Sequence, residues 1–302
     1  MKVLITGANG YLGSRLSKYL RQNGFEVIAV CHSKKSYISE WDIIFNRVVI
    51  ADLTDDKAIN KVASIETDAV IHLVSLNHYD SEKDIKNTND VNVLTTWMLL
   101  DAFSKRGLKK FIYFSTIHVY DNNYNGIITE ESIPNPSNLY GLTHLLSENI
   151  CNYYDNLGAI DCINIRLANS YGEPVLPNAN CWDIFLNDIC KTAYYKKKII
   201  LKSDGKAYRD FIHYSDICSG IYNILKMSTK NYSTINFTSN ASFRLLDIAT
   251  KVQEVHFSIK KERIPIFVNE DDIVDKGIDN HSIIEKYSNN LANSHGITFN
   301  QS

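Results

Sequence analysis

The chain has 302 residues, 44% hydrophobic and 22% charged, a balance that reads as globular with a sizeable core. Its 32 Lys and Arg against 34 Asp and Glu leave a net charge of −2, so no basic field points to nucleic acid or to an anionic membrane. No apolar run approaches the roughly 18 residues of a membrane span. Cys31, Cys151, Cys162, Cys181, Cys190 and Cys218 are scattered, with no spacing that suggests a metal site. The chain opens on a core strand without a signal-peptide pattern, so we expect a cytoplasmic protein with reduced, structural thiols.

In chain order, an apolar strand at Lys2–Thr6 runs directly into Gly7, Gly10 and Gly13 and then a helix carrying Leu12, Leu16 and Leu20 on one stripe. A second strand at Glu26–Val30 closes the unit. This is the layout of a dinucleotide site. Gly7 permits a sharp turn, Gly10 lets backbone amides approach a pyrophosphate, and Gly13 lets the helix lie close to the sheet. A glycine turn that merely precedes a helix is the alternative, and the flanking strands argue against it.

Further strands are expected at Arg47–Ile50, Ala69–Leu73, Phe111–Phe114 and Asp161–Arg166, with helices at Asp90–Phe103 and Leu139–Asn156. Apolar strands alternating with helices predict a doubly wound parallel (Rossmann) sheet. After Arg166 come Pro174 and Pro177, a helix-like stretch Cys181–Tyr194, three lysines at 196–198 and a strand Ile199–Leu201. No flexible linker separates the parts. We therefore expect a dinucleotide-binding domain over 1–167, with return segments from about 208–238, and a smaller C-terminal α/β substrate-binding lobe over 168–302.

Two hydroxyls carry the chemistry. Thr116 ends an apolar strand, and Tyr140 opens a helix 24 residues later. In an open α/β sheet both positions can converge over a bound cofactor. Here the chain resembles the extended short-chain dehydrogenases/reductases, in the nucleotide-sugar epimerase/reductase branch. The matching segments are TGANGYLG, Asp52-Leu53, Ile71-His72-Leu73, Asn92, Ser115-Thr116-x-x-Val119-Tyr120, Tyr140-Gly141, the Arg166–Gly172 stretch, and Arg209-Asp210-Phe211-Ile212-His213 with Asp216.

The resemblance implies that Tyr140 moves a proton on the substrate oxygen while hydride passes between sugar carbon and nicotinamide, with Thr116 hydrogen-bonding that oxygen. It implies cofactor contacts from Gly7, Asn9, Gly10, Tyr11, Leu12 and Gly13, from Asp52 (accepting from the adenine amino group) and Leu53, and from Leu73 and Asn92. Tyr140 and the residue four positions on complete the set. Asn169 and Arg209 stand where the family meets a nucleotide-sugar diphosphate, which an arginine fork suits. A surface ion pair of Arg209 with Asp210 is the alternative. His118 is expected to face the sugar, and His213 to pack or hydrogen-bond structurally.

One position departs from the family. Its lysine four residues after the tyrosine is His144 here. The i, i+4 spacing aims His144 at the same place. A neutral imidazole can bond a ribose hydroxyl, yet lacks the charge that lowers a tyrosine pKa. His144 thus reads as a working substitute, as a mark of altered chemistry with a tightly held cofactor, or as a lost activity. Two other Tyr-x-x-x-Lys matches, Tyr194/Lys198 and Tyr222/Lys226, fall in peripheral segments. A neutral phenol is already the right form for giving a proton to a ketone, which favours reduction over oxidation.

The stretch Cys31-His32-Ser33-Lys34-Lys35 holds no acid after the second strand. Ser33 and Lys34 suit a 2′-phosphate, so NADP(H) is favoured and NAD(H) remains possible; solvated lysines are the plain alternative. The family's dehydratases carry Asp-Glu directly after the threonine. Ile117 and His118 stand there, which argues against dehydration. We expect reduction of a 4-keto (deoxy)sugar nucleotide, with a C4 epimerase or dehydrogenase holding NAD as the alternative and a catalytically impaired scaffold as the reading from another class. No metal is expected, and the helices 90–103 and 139–156 are expected to pair in a homodimer.

Overall fold

The computed structural model describes residues 1–33, 41–120, 126–176, 179–227 and 232–268, together with a short strand backbone at 285–287. In chain order the described elements begin with β1 (Lys2–Thr6), α1 (Tyr11–Gln22), β2 (Glu26–Cys31), α2 (Trp41–Ile44), β3 (Arg47–Ile50), α3 (Asp56–Ala63) and β4 (Ala69–His72). There follow two short helices, α4 (His78–Ser81) and α5 (Ile85–Thr88), then α6 (Thr95–Ser104), β5 (Lys110–Thr116), β6 (Gly126–Ile128), α7 (Leu139–Asn156) and β7 (Asp161–Leu167). The remainder is β8 (Asn169–Tyr171), α8 (Phe185–Lys196), β9 (Ile199–Leu201), β10 (Tyr208–His213), α9 (Tyr214–Lys226), β11 (Thr234–Phe237), β12 (Ser242–Arg244), α10 (Leu245–Lys260), β13 (Ile266–Val268) and β14 (Glu285–Tyr287).

Seven parallel strands form the main sheet in the order β11-β7-β5-β4-β1-β2-β3. Alternate residues serve opposite faces, as the pleat requires. Val3, Ile5, Val27, Ala29, Ile71, Ile112 and Phe114 face α1 and α9, where Leu16, Leu20, Ile217 and Ile221 complete one apolar layer. Leu4, Ile28, Val30, Val70, Phe111 and Tyr113 face α3, α6 and α7, where Ile59, Leu99, Phe103, Cys151 and Tyr154 complete the other. Burial on both sides explains why the strands read as continuous apolar runs. The chain moves outward from β1 in both directions along the sheet, so a crevice opens at the strands' C-terminal ends between β1 and β4.

A third core, built from Ile189, Ala193, Ile199, Leu201, Ala249 and Ile264, holds the C-terminal lobe. Within the segment 208–238, α9 packs on the face shared with α1 and β11 extends the main sheet, whereas β10 joins β8 and β12 in a separate small sheet. Two helices differ from expectation. The stretch expected to be helical from Asp90 begins as a wide π turn, Asn89–Leu94, before α6. The helix expected from Cys181 starts at Phe185 and ends at Lys196, because Lys197 takes a left-handed conformation. None of the helices described is long and apolar enough to cross a membrane.

A buried polar network ties the strands behind the crevice to α7. The Arg166 guanidinium on β7 donates to both Glu148 carboxylate oxygens on α7, at 2.7 to 3.2 Å, with side-chain exposures of 7% and 1%. Ser115 Oγ on β5 donates to Glu148 Oε1 at 2.5 Å, and Arg166 Nη1 donates to Tyr120 Oη at 2.7 Å. Deleting one partner of such a pair leaves an uncompensated charge in the interior. Glu148→Ala is therefore expected to lose about 3–5 kcal/mol of stability, read as a fall in the urea unfolding midpoint. A loss of under about 1 kcal/mol, the size of an exposed pair, would contradict a structural role for the network.

Candidate active site

The glycine turn is held by its neighbours. Gly7 takes a positive φ of 67°, and its amide donates to the Val30 carbonyl at 3.0 Å. A Cβ on Gly13 would collide with the Gly7 carbonyl oxygen and the Ala8 backbone, so α1 can approach the turn only with glycine there. Thr6 Oγ1 accepts from the Leu73 amide at 3.2 Å, which fixes β4 beside the turn. The Asn9 amide reaches the Cys31 thiol, whose burial raises its pKa to about 12. Tyr11 Oη donates to the Gly172 carbonyl at 2.8 Å and so couples the turn to the C-terminal lobe, while Leu12 packs into the core below.

Beside this turn lies a cavity of about 380 Å³. Val30, Cys31 and His32 wall it on one side, Ala51, Asp52 and Leu53 on another, and Val74, Ser75 and Leu76 on a third. Its size and mixed lining suit an adenosine group. Asp52 accepts from Thr54 N at 3.0 Å and Thr54 Oγ1 at 2.7 Å, and these bonds hold its carboxyl below the usual range. His32 Nε2 lies 3.6 Å from Asp52 Oδ2, across the mouth of the cavity. Ser33 is half-buried nearby, and Lys34 lies outside the described residues. Thr95 Oγ1 donates to the Leu53 carbonyl at 3.1 Å. Asn92 is fully buried, its amide accepting from Leu76 N at 2.8 Å and donating to Thr143 Oγ1 at 3.0 Å. Both ends of that amide brace the wall of the crevice.

At the other end of the crevice the two hydroxyls meet. Asn138 accepts from Gly141 N at 2.8 Å and starts α7, whose first turn carries Tyr140. A Cβ on Gly141 would strike the His118 carbonyl, so glycine lets α7 press against the loop that follows β5. This contact brings Tyr140 to Thr116. Burial raises the Tyr140 pKa, and a hydrogen bond with the Thr116 side chain opposes that rise. The phenol is therefore protonated at neutral pH.

His144 lies one turn further along α7, 2% exposed, its ring 4.5 Å from that of Tyr140. Its Nδ1 bonds Tyr113 Oη at 2.8 Å. Its Nε2 is buried with no hydrogen-bond partner among the described residues. Burial pushes the His144 pKa down to about 3, with His118 and His72 adding smaller repulsions, so the imidazole is neutral. An orphaned buried nitrogen beside the phenol is the feature a ribose hydroxyl would satisfy. With the glycine turn and the adenosine-sized cavity, it makes the crevice fit a nicotinamide dinucleotide.

Around the phenol stand two more imidazoles. His118 is half-buried, its ring 5.7 Å from Tyr140, and its amide donates to Thr116 Oγ1 at 3.2 Å. His78, exposed at the start of α4, stacks on His118 at 5.9 Å with 19° between the planes and meets Tyr140 edge-on at 6.3 Å. Burial lowers the His118 pKa to about 4, helped by His78 and by the positive charge of Arg209. Arg209 is thus brought within electrostatic reach of the site, and its Nη1 donates to the Tyr208 carbonyl at 2.7 Å. The Asp210 carboxylate turns away to accept from Ser239 N, Ser239 Oγ and Ala241 N at 2.8 to 3.1 Å. Asn169 Nδ2 donates to the Asp210 carbonyl at 2.9 Å and pins β8 to β10. His213 bonds Ser215 and caps α9, a structural role. Sequence reasoning missed His78 and Tyr113. Tyr113 was accessible through strand alternation, since it faces α7; His78 follows β4 in a stretch without periodicity and is found only in space.

A dinucleotide turn ending in a Thr–Tyr pair over the strand ends defines a nicotinamide-dependent oxidoreductase of the short-chain class. The model of the NAD dependent epimerase/dehydratase family matches residues 3–237, and the chain belongs to that family. It is 28% identical over 280 residues to the dTDP-D-glucose 4,6-dehydratase of Dictyostelium discoideum, covering 83% of this chain but 61% of that protein. It is 25% identical over 292 residues to the UDP-glucose 4-epimerase of Bacillus subtilis, covering 84% and 82%. Among solved structures, the fold matches MoeE5 in complex with UDP-glucuronic acid and NAD at a TM-score of 0.82 and 21% identity, over 100% of this chain and 95% of that one. The UDP-glucuronic acid 4-epimerase of Bacillus cereus, in complex with UDP-glucuronic acid and NAD, matches at 0.75 and 25% identity, over 89% and 87%.

Gly13→Ala is expected to weaken NADH binding tenfold or more by pushing α1 off the turn, measured by cofactor fluorescence; unchanged affinity would show that the turn does not hold the dinucleotide. A second expectation concerns acid stability. Unfolded His144 takes a proton below about pH 6.5, while the folded residue resists until about pH 3. Stability is thus untouched by this residue above pH 6.5 and falls as pH drops below it. Replacing it, as in His144→Asn, should remove about one proton from the uptake on unfolding at pH 5, measured from urea midpoints across pH. An unchanged pH slope would contradict a buried neutral imidazole.

Proposed function

We propose that this chain reduces a 4-keto sugar carried on a nucleoside diphosphate, with Tyr140 as the proton donor. The observation that carries this reading is the Tyr140 phenol paired with Thr116 and set 4.5 Å, ring to ring, from a buried His144 where the family has a lysine; burial raises the phenol's pKa and lowers that of the imidazole to about 3. A phenol that stays protonated is ready to give its proton to a carbonyl oxygen, and poorly suited to take one from an alcohol. The bound cofactor would supply hydride to the carbonyl carbon. Tyr140 protonates the oxygen, and Thr116 donates to it as negative charge develops. The Arg209 guanidinium and the Asn169 amide are offered to the diphosphate. The family description and the NAD held by the solved neighbours support NAD(H).

A C4 epimerase is the second reading, favoured by the Bacillus relatives. Cofactor consumption separates the two, because an epimerase returns its hydride and a reductase does not. A second copy of the chain fits α6, the π turn before it and α7, where Leu94, Trp97, Leu146 and Tyr153 remain 40–57% exposed along a groove of about 820 Å³.

Mixing the protein with UDP- and dTDP-4-keto-6-deoxyglucose and NADH or NADPH should give stoichiometric loss of absorbance at 340 nm. In that assay Tyr140→Phe should lower kcat a hundredfold or more while leaving cofactor affinity within about twofold. Conversion of a 4-hydroxy sugar to its epimer without net cofactor loss would overturn the reductase in favour of the epimerase.

A further inference from the structure

The contact between Tyr113 on β5 and His144 on α7 does more than fill the interior. We propose that Tyr113 is a positioning residue of this site: its buried hydroxyl donates to Nδ1 of His144, so that the imidazole bears its one proton on Nε2 and offers an N–H to the bound cofactor. The inference rests on the crevice holding a nicotinamide dinucleotide, and not on which sugar is reduced.

An accounting of buried protons carries it. Tyr113 is 1% exposed, and burial pushes its pKa well above the ordinary tyrosine value, so the hydroxyl keeps its proton. A buried O–H needs an acceptor. Among the described residues two are within reach, His144 Nδ1 at 2.8 Å and the Ser147 hydroxyl. The lone pair of a neutral imidazole accepts more strongly than a hydroxyl oxygen does. Ser147 gives its own proton to the Asn92 and Thr143 carbonyls, at 2.9 and 3.0 Å, and has none to return to Tyr113. The Tyr113 proton therefore goes to Nδ1. His144 is neutral, since burial pushes its pKa down to about 3, so its ring holds a single proton. With Nδ1 accepting, that proton sits on Nε2.

The tautomer decides what the site lacks. Nε2 is buried beside Tyr140 with no hydrogen-bond partner among the described residues, and as an N–H it calls for an acceptor. The ribose hydroxyl oxygens of a dinucleotide are acceptors of this kind. A lysine at this position would meet them in the same donor sense; His144 does so with one N–H and no charge. Without the Tyr113 hydroxyl neither ring nitrogen is committed, and the cofactor has to select the Nε2–H form as it binds, at a cost in affinity. Tyr113 removes that cost from a distance, without touching the cofactor itself.

The test reads the ring before it reads turnover. The full chain, labelled with nitrogen-15 in its histidine rings, is followed at neutral pH by long-range proton–nitrogen NMR, which tells a protonated ring nitrogen from a bare one. The signals lost in His144→Asn belong to His144. His72 serves as reference, because Thr96 gives its proton to the Asn92 carbonyl and so accepts from His72 Nε2, while Thr6 Oγ1 lies 2.7 Å from Nδ1. His144 should carry its proton on Nε2, and adding NAD+ should shift that N–H. A proton on Nδ1, or an Nε2–H that bound NAD+ leaves unmoved, overturns the inference. In Tyr113→Phe the bare Nδ1 should lose its hydrogen-bonded shift and NADH should bind about fivefold more weakly, with no further loss when the same change is made in His144→Asn. Equal loss in both backgrounds would make Tyr113 a packing residue alone and overturns the inference as well. A wild-type chain that binds no NADH defeats it together with the reading it rests on, whereas the expected NMR result without reduction of any 4-keto sugar supports this inference and defeats the proposed reaction alone.

Discussion

The site depends on how α7 is pressed against the end of β5. Tyr113 on the strand bonds His144 on the helix, Ser115 bonds Glu148, and Arg166 from β7 closes the same carboxylate from below. Gly141 adds the steric part, since no side chain could stand between α7 and the His118 carbonyl. These contacts fix Tyr140 over Thr116. Without them the two hydroxyls would lie on separate elements with only the crevice between them. Because the interactions are buried, they hold geometry more than they add stability.

The same burial decides the electrostatics. A lysine in place of His144 would keep a charge beside the phenol, and nearby positive charge lowers a tyrosine pKa. Here the neighbour is a buried imidazole, and desolvation keeps it uncharged. Desolvation raises the pKa of Tyr140 beside it, opposed only in part by the hydrogen bond with Thr116. The pair is biased toward proton donation. The protonation state of the phenol is set by what surrounds it.

Much of this was legible in the sequence because local rules agreed with the global fold. The glycine spacing after Lys2–Thr6 announced the turn, and Leu139–Asn156 was bounded correctly because Asn138 is a good N-cap and apolar periodicity runs to the end. His144 was found because the family that the chain resembles carries a lysine four residues after its tyrosine, and the i, i+4 spacing gave its direction. Other parts were not legible. The π turn at Asn89–Leu94 leaves no trace in apolar periodicity, since its cause is tertiary: Asn92 bonding Leu76 and Thr143. The left-handed Lys197 that ends α8 sits inside a run of identical lysines. His78 comes to Tyr140 through a short helix with no amphipathic pattern. Lys34, assigned to a 2′-phosphate, falls outside the described residues, whereas Asp52, named from the sequence, lines the adenosine-sized cavity.

The central claim is that Tyr140 remains a phenol at neutral pH because desolvation raises its pKa and no cation stands at position 144 to oppose the rise. An ultraviolet difference titration of the wild type against Tyr140→Phe, with NAD+ bound, reads its ionisation directly at the phenolate absorbance near 295 nm. The account expects no Tyr140 phenolate below a pH of about 10, the ordinary tyrosine value. Ionisation of that residue near neutrality would contradict it.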